Sequence, residues 1–175
     1  MPAVQADASA YSAAETLRDG RAVEIRAQRT SDLDGLRAAA ARVSAQSLYR
    51  RFFGPKRAFS EKEVARFINV DFVTQVALVA VAQQGEPAII GGGRYFVVRP
   101  GVAEVAFVVV DDCQGQGLGS ALLRHLVAIA RGAGLTQLEA EVLPENRPML
   151  TVFEKSGLPV GTRREGGAVH VTLEL

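Results

Sequence analysis

The chain has 175 residues, 48% of them apolar, and a formal net charge of +1. That length fits one domain with a full core, and the near-neutral charge gives no electrostatic case for nucleic acid or a membrane surface as a partner. No apolar run reaches the roughly 20 residues of a membrane-spanning helix, and the opening "MPAVQADASAYSAAETLRDG" lacks the basic start and apolar stretch of a secretory signal. Residues 1–20 read as a poorly ordered, alanine-rich tail or a short extra helix. "AVEIR", from Ala22, alternates as a short strand. "SDLDGLRAAAARV" starts with a capping Ser31 and acids in its first turn, then continues in helix formers. "SAQSLYRRFFGP" can extend helically until Gly54 and Pro55 break it. "SEKEVARFINV" opens at Ser60 with Ser-x-x-Glu, a capping box. "TQVALVAVAQQ", "AIIGGGRYFVVR" and "VAEVAFVVV" read as three successive strands with turns at "GEP" and "RPG".

A helix runs from Gly117 to about Arg131 and stops at "GAG". "QLEAEVL" is a strand ended by Pro144, and "NRPMLTVFEKSG" is a helix capped by Asn146 with Gly157 after its end. "VGTRRE" and "AVHVTLEL" are two tail strands joined through "GG". The resulting order is β-α-α-β-β-β-α-β-α-β-β over one domain, residues 21–175. Hairpins make the first half antiparallel, whereas the strand-helix-strand unit around position 117 is a parallel crossover. The expected fold class is mixed α/β, a mostly antiparallel central sheet flanked by helices.

The chemistry concentrates in "VVVDDCQGQGLGSALLRHLVAIA", Val108 to Ala130. Strand, glycine loop and helix follow one another there. Glycines leave backbone N–H groups bare, and several such groups at a helix N-terminus hold an anion, phosphate above all. A P-loop needs Gly-Lys before Ser or Thr, and this loop has no lysine. A dinucleotide fingerprint needs glycine where Ser120 stands, a tighter turn after the strand, and an acid at the end of the next strand. Glu139 lies inside its strand instead. Both nucleotide readings are therefore set aside.

"QGQGLG" matches Q-x-x-G-x-G, and the chain resembles the GNAT superfamily of acetyl-CoA-dependent N-acetyltransferases from about Ala22 to Leu175. The order of elements and the "N…F-E-K-S-G-L" helix extend the match beyond the loop. The resemblance implies that Gln114, Gly115, Gln116, Gly117, Leu118, Gly119 and Ser120 bind the pyrophosphate of coenzyme A. It implies that Val108, Val109 and Val110 offer backbone groups to the pantetheine arm and the acetyl carbonyl, and that the next strand splays away to leave a V for the thioester. Asn146 is then expected near the arm. "SAQSLYRRFFGP", "SEKEVARFINVDF" and "AEVAFVVVDDCQGQGLG" are also similar to the bacterial protein lysine acetyltransferases that modify acyl-CoA synthetases. This implies a protein substrate such as an acyl-CoA synthetase.

A lysine ammonium at pH 7 must lose a proton before it attacks a thioester, a cost of roughly 4.6 kcal/mol. A positioned base removes that proton. Glu104 is the candidate. It lies in an otherwise apolar strand on the face of Ala106, Val108 and Val110, where a carboxylate is expected to have a raised pKa. A solvent-facing glutamate near a strand start gives the same pattern. The resemblance favours the base, because the histone and bacterial protein acetyltransferases carry theirs in the same A-E-x-x-F context. Many GNAT enzymes place a tyrosine acid in the helix after Asn146, and counting along gives Phe153, which has no proton to donate. Its implied role is packing against the coenzyme's arm.

Cys113 is the single cysteine, so no internal disulfide forms, which suits a cytoplasmic protein. It reads as a small residue beside the loop rather than a nucleophile. His125 and His170 are far apart and suggest no metal site. Gly91 to Gly93 mark a bulge or a close backbone crossing. Tyr49 to Phe53, "YRRFF", fit either a substrate groove or an amphipathic helix end. Edge strands could pair between subunits, but the sequence sets no oligomeric state. Two further readings stay open: an acetyltransferase for a small amine, and a GNAT module that senses acyl-CoA without turning it over.

Overall fold

The computed structural model describes residues 7–47 and 60–175. "YRRFF" and most of "SAQSLYRRFFGP" lie outside the described residues. Eight strands form one sheet in the order β1-β2-β3-β4-β5-β6-β8-β7. They are β1 (Ser12–Thr16), β2 (Ala22–Ala27), β3 (Gln75–Ala82), β4 (Ala88–Arg99), β5 (Val102–Val109), β6 (Gln137–Val142), β7 (Val160–Glu165) and β8 (Ala168–Glu174). Every neighbouring pair is antiparallel except β5 and β6, which are parallel. The helices whose bounds lie wholly within the described residues are α1 (Leu33–Ala40), α2 (Glu61–Ile68), α3 (Leu118–Gly132) and α4 (Arg147–Glu154). This is the mixed α/β architecture expected, with α3 as the crossover between β5 and β6. No helix among the described residues is long and apolar enough to cross a membrane.

The expectation of a poorly ordered tail is corrected from Asp7 onward. Ser12–Thr16 form the edge strand β1, paired with β2 from Ser12↔Arg26 to Thr16↔Ala22. "SAAET" is not strand-like by composition; a ready partner edge on β2 overrides that local preference. The helix expected from Ser31 also starts differently. A short 3-10 turn, Thr30–Asp32, precedes α1. Asp32, rather than Ser31, takes the N-terminal position, because its carboxylate is drawn under the turn by Arg26 and by the Arg29 N–H.

The Arg26–Asp32 pair is largely buried and doubly bonded, at 2.8 and 2.9 Å. Burial pushes the Asp32 carboxyl up, but the hydrogen bonds from Arg26 and Arg29 outweigh it and hold the pKa below the usual 3.8. A carboxyl depressed on folding stabilises the fold fully above its unfolded pKa, and that contribution is lost as pH falls through the folded one. Urea midpoints taken from pH 6 down to 3 are expected to fall more for the wild type than for Asp32→Asn.

The capping box expected at Ser60 is present. Ser60 Oγ accepts the Glu63 N–H at 3.2 Å and Glu63 Oε2 accepts the Ser60 N–H at 2.8 Å. Ser60→Ala is expected to lower stability by about 1 kcal/mol, read as a shift of the urea midpoint.

The core lies mainly between the sheet and α3, whose buried stripe includes Leu118, Leu122, Leu126 and Ala130 at four-residue spacing. The helix α4 shares this face, with Phe153 against Phe107. On the other face, α1 reaches Ile89 of β4 through Gly35, and Phe67 of α2 stacks under the Arg94 guanidinium at 3.6 Å. Gly91 to Gly93 meet both expectations for them. The β3–β4 register slips beside Gly91, and a Cβ on Gly92 would stand 2.9 Å from the Leu78 carbonyl.

Candidate active site

β5 and β6 are paired over only three positions, Val102↔Gln137, Ala103↔Leu138 and Glu104↔Glu139. Beyond Glu104 they part. β6 keeps β8 along its whole length, while Val105 to Val109 keep a strand neighbour only in β4. The fork opens into a cleft of about 570 Å³. Glu104 to Val109 form one wall and Ala140 to Val142 the other, with the glycine loop and α4 closing it.

Local rules build the loop. After Val109 a 3-10 turn, Asp111–Cys113, ends the strand direction. Gly115 and Gly117 then take positive φ, 77° and 88°, and Gly117 caps α3. This left-handed geometry is open to glycine at no steric cost. Turns that include left-handed residues can present successive N–H groups to one anion. The first N–H after Gln114 with a backbone acceptor is Ala121, bonded to Gly117, and no side chain caps the helix. Among the described residues, the amides of Gly115 to Ser120 have no protein acceptor. A row of bare amides at the N-terminus of a 15-residue helix fits a phosphate group. The apolar walls of Val105, Phe107 and Val142 fit an uncharged arm.

The loop is tied from below. Asp111 Oδ1 accepts the Ser44 N–H and the Ser47 hydroxyl, both at 3.1 Å. Arg42 pairs with Asp112 at 2.7 Å, which lowers the Asp112 pKa. Cys113 is fully buried, and its sulfur accepts a hydrogen bond from Arg21 at 3.0 Å.

Most of the residues expected at the site come together here. Glu104, Val108, Val109, Gln114, Gly115, Gly117, Leu118, Gly119, Ser120, Asn146 and Phe153 all line the cleft. Two of the expected residues are placed elsewhere, and a third lines the cleft with its side chain already engaged. Val110 lies outside it: its N–H bonds the Ile90 carbonyl at 2.9 Å, and its side chain faces a separate apolar cavity under α1. Gln116 does not line the cleft, and its carbonyl accepts the Arg18 N–H at 3.0 Å. Gln114 lines it, but its side-chain amide donates to Ser47 Oγ and the Val109 carbonyl, both at 3.2 Å, and so ties the loop to β5.

Asn146 caps α4 by accepting the Met149 N–H at 3.4 Å. Phe153 is 1% exposed and packs on Phe107 with ring centroids 6.2 Å apart. No tyrosine among the described residues lines the cleft. Tyr95 is buried in the core, where desolvation pushes its hydroxyl up to about 12.

Glu104 is half-buried at the apex of the fork, opposite Phe96 of β4. Two more carboxylates follow on β6. Glu139, beside Glu104, is held below the usual carboxylate range by its ion pair with Arg99. Glu141 is exposed on the cleft wall. Glu141 and Arg18, which also lines the cleft, were not singled out from the sequence. Glu141 alternates with Glu139 in "QLEAEVL", a signal that was available; Arg18 sat in the supposed tail.

Comparison with known proteins agrees with this geometry. The model of the acetyltransferase (GNAT) family matches residues 42–158. Acetyltransferase PA5475 of Pseudomonas aeruginosa is 34% identical over 137 residues, 77% of this chain and 74% of that protein. Acetyltransferase Pat of Mycolicibacterium smegmatis is 33% identical over 139 residues, 75% of this chain but only 39% of that longer protein. The crystal structure of the GNAT domain of S. lividans PAT is 36% identical and superposes with a TM-score of 0.86, covering 100% of this chain and 99% of that one. A bare-amide loop, a forked strand pair and these relatives lead to one conclusion: the chain belongs to the GNAT family and is an acetyl-CoA-dependent acetyltransferase.

Proposed function

We propose that the acceptor is the side-chain amine of a protein lysine and that Glu104 is the general base. The position of Glu104 carries this reading. It is the last residue paired across the fork and lines the cleft at the end of β5 away from the glycine loop, where the acyl end of a coenzyme anchored on that loop would lie. The amides of Gly115 to Ser120 would hold the pyrophosphate, aided by the α3 dipole. Acetyl-CoA supplies the activated acyl group. Glu104 takes a proton from the acceptor ammonium, directly or through one water. The freed amine forms the new C–N bond as the C–S bond breaks; the sulfur leaves as a thiolate, which needs little acid help, and takes up the second proton that the nitrogen sheds on becoming an amide. That suits a cleft with phenylalanine at 153.

Two features support a cationic, polypeptide acceptor. Glu104, Glu139 and Glu141 share one sheet face by register and alternation, which favours an approaching ammonium. Phe67, Phe96, Val98 and Val73 are all exposed. Phe96 lies directly opposite Glu104 in the β4–β5 pairing, and Arg94, which holds Phe67, is two residues along the same face. An apolar rim beside a catalytic carboxylate suits a protein surface better than a small polar amine. The resemblance to the protein lysine acetyltransferases agrees, and it names an acyl-CoA synthetase as the first substrate to test.

The test is labelled acetyl-CoA with an acyl-CoA synthetase, a lysine peptide and a polyamine, read by mass spectrometry and by thiol release. Lysine labelling of protein at a rate above the polyamine supports the proposal. Turnover of the polyamine alone sinks it, and coenzyme binding without acceptor-dependent thiol release points to a sensor.

A further inference from the structure

The turn between β1 and β2 is fastened to the glycine loop. Leu17 and Arg21 close it through a 2.9 Å bond from the Leu17 N–H to the Arg21 carbonyl. Arg21 is oriented by Asp19 at 2.7 Å and donates to the Cys113 sulfur under the loop. The Arg18 N–H bonds the Gln116 carbonyl. With its backbone so fixed, Arg18 sends its side chain across Gly117. Its Nε lies 3.5 Å from where a Cβ on Gly117 would stand. The side chain is exposed, lines the cleft, and has no carboxylate partner among the described residues. Nearby arginines are paired: Arg21 with Asp19 and Arg42 with Asp112.

An unpaired guanidinium lying along a row of bare amides has the chemistry of a phosphate ligand. Its planar fork matches two phosphate oxygens, and charge-assisted bonds of this kind are the strong ones. We propose that Arg18 is a coenzyme-binding residue, reaching over Gly117 to a phosphate of the ADP half of coenzyme A, and that the β1–β2 turn is built to present it. This rests on the reading of the loop as the pyrophosphate site. It gives the N-terminal strand a function: β1 places a cation that the loop itself lacks.

Calorimetry with coenzyme A tests this without an acceptor. Arg18→Ala is expected to bind coenzyme A about tenfold more weakly than the wild type, and Arg18→Lys to recover part of the loss. The gap is expected to narrow at high salt, as for any exposed charge pair. Dephospho-coenzyme A separates the two phosphate sources. A penalty that persists with it assigns Arg18 to the pyrophosphate, and one that vanishes assigns it to the 3′-phosphate; both support the proposal. Arg18→Ala binding coenzyme A within twofold of wild type overturns it. So does an equal penalty against phosphate-free pantetheine, which would mark a structural role. Failure of the underlying reading looks different: the wild type itself would bind coenzyme A no better than pantetheine.

Discussion

Glu104→Gln is expected to lower kcat by about 10²- to 10⁴-fold while leaving the affinity for acetyl-CoA near that of the wild type. Glutamine keeps the size and the polarity of the side chain but cannot accept a proton from an ammonium. The neighbouring carboxylates do not replace it. Glu139 is engaged by Arg99, and Glu141 stands two residues further along β6, past the point where the strands have parted. Thiol release at saturating acceptor and coenzyme, over pH 6 to 10, measures the effect. Raising the pH supplies neutral amine without a base, so the variant's deficit should shrink toward pH 10. A variant with full turnover at neutral pH would remove Glu104 from the mechanism.

The second large effect is expected at Gly117. Its φ of 88° caps α3 and aims the loop amides. Valine there must either hold a left-handed conformation, at roughly 1–3 kcal/mol, or relax and turn the amides away. Its side chain would also press on Arg18. Gly117→Val should therefore bind coenzyme A at least tenfold more weakly by calorimetry. Gly134→Val is the control. Gly134 has a similar φ of 81°, with open space around it, beyond the end of α3. It carries the same backbone penalty far from the loop, so it should lose stability and keep its affinity. Equal losses of affinity in the two variants would mean that the effect at Gly117 is global.

Much of this was legible because local chemistry and tertiary context agree. The bounds of β4 and β7 are those of "AIIGGGRYFVVR" and "VGTRRE". Alternation and turn residues there meet a sheet that wants them. Asn146 and Ser60 read correctly as caps because a cap is a local event. The misreadings have a common physical origin in partners remote in sequence. "SAAET" becomes β1 only because β2 offers an edge. Ser31 loses the helix start to Asp32, which is claimed by Arg26. Gln114 lines the cleft as its motif implies, but the motif does not show that its side-chain amide is engaged by Val109 and Ser47. Val110 belongs to the valine run in sequence but is bonded to Ile90, outside the cleft. Nor does a linear motif say where two strands stop pairing; the fork after Glu104 is set by β6 staying with β8.

That fork has a mechanical consequence. Three residue pairs are all that joins β1–β5 to β6–β8 across the sheet, so the protein is two half-sheets sharing a short seam. A ligand lying in the gap would take the place of the missing ladder and act as a ninth strand. Binding should then be felt as a gain in cooperativity between the halves, beyond the contacts themselves. Saturation at 100 times Kd adds about 2.7 kcal/mol to stability by mass action alone. Backbone amides of Val105 to Val109 and of Ala140 to Val142 should slow together in hydrogen exchange, as one unit rather than as two walls. On this reading the chain encodes a sheet with a gap in it, and the co-substrate would be the piece of secondary structure that fills the gap.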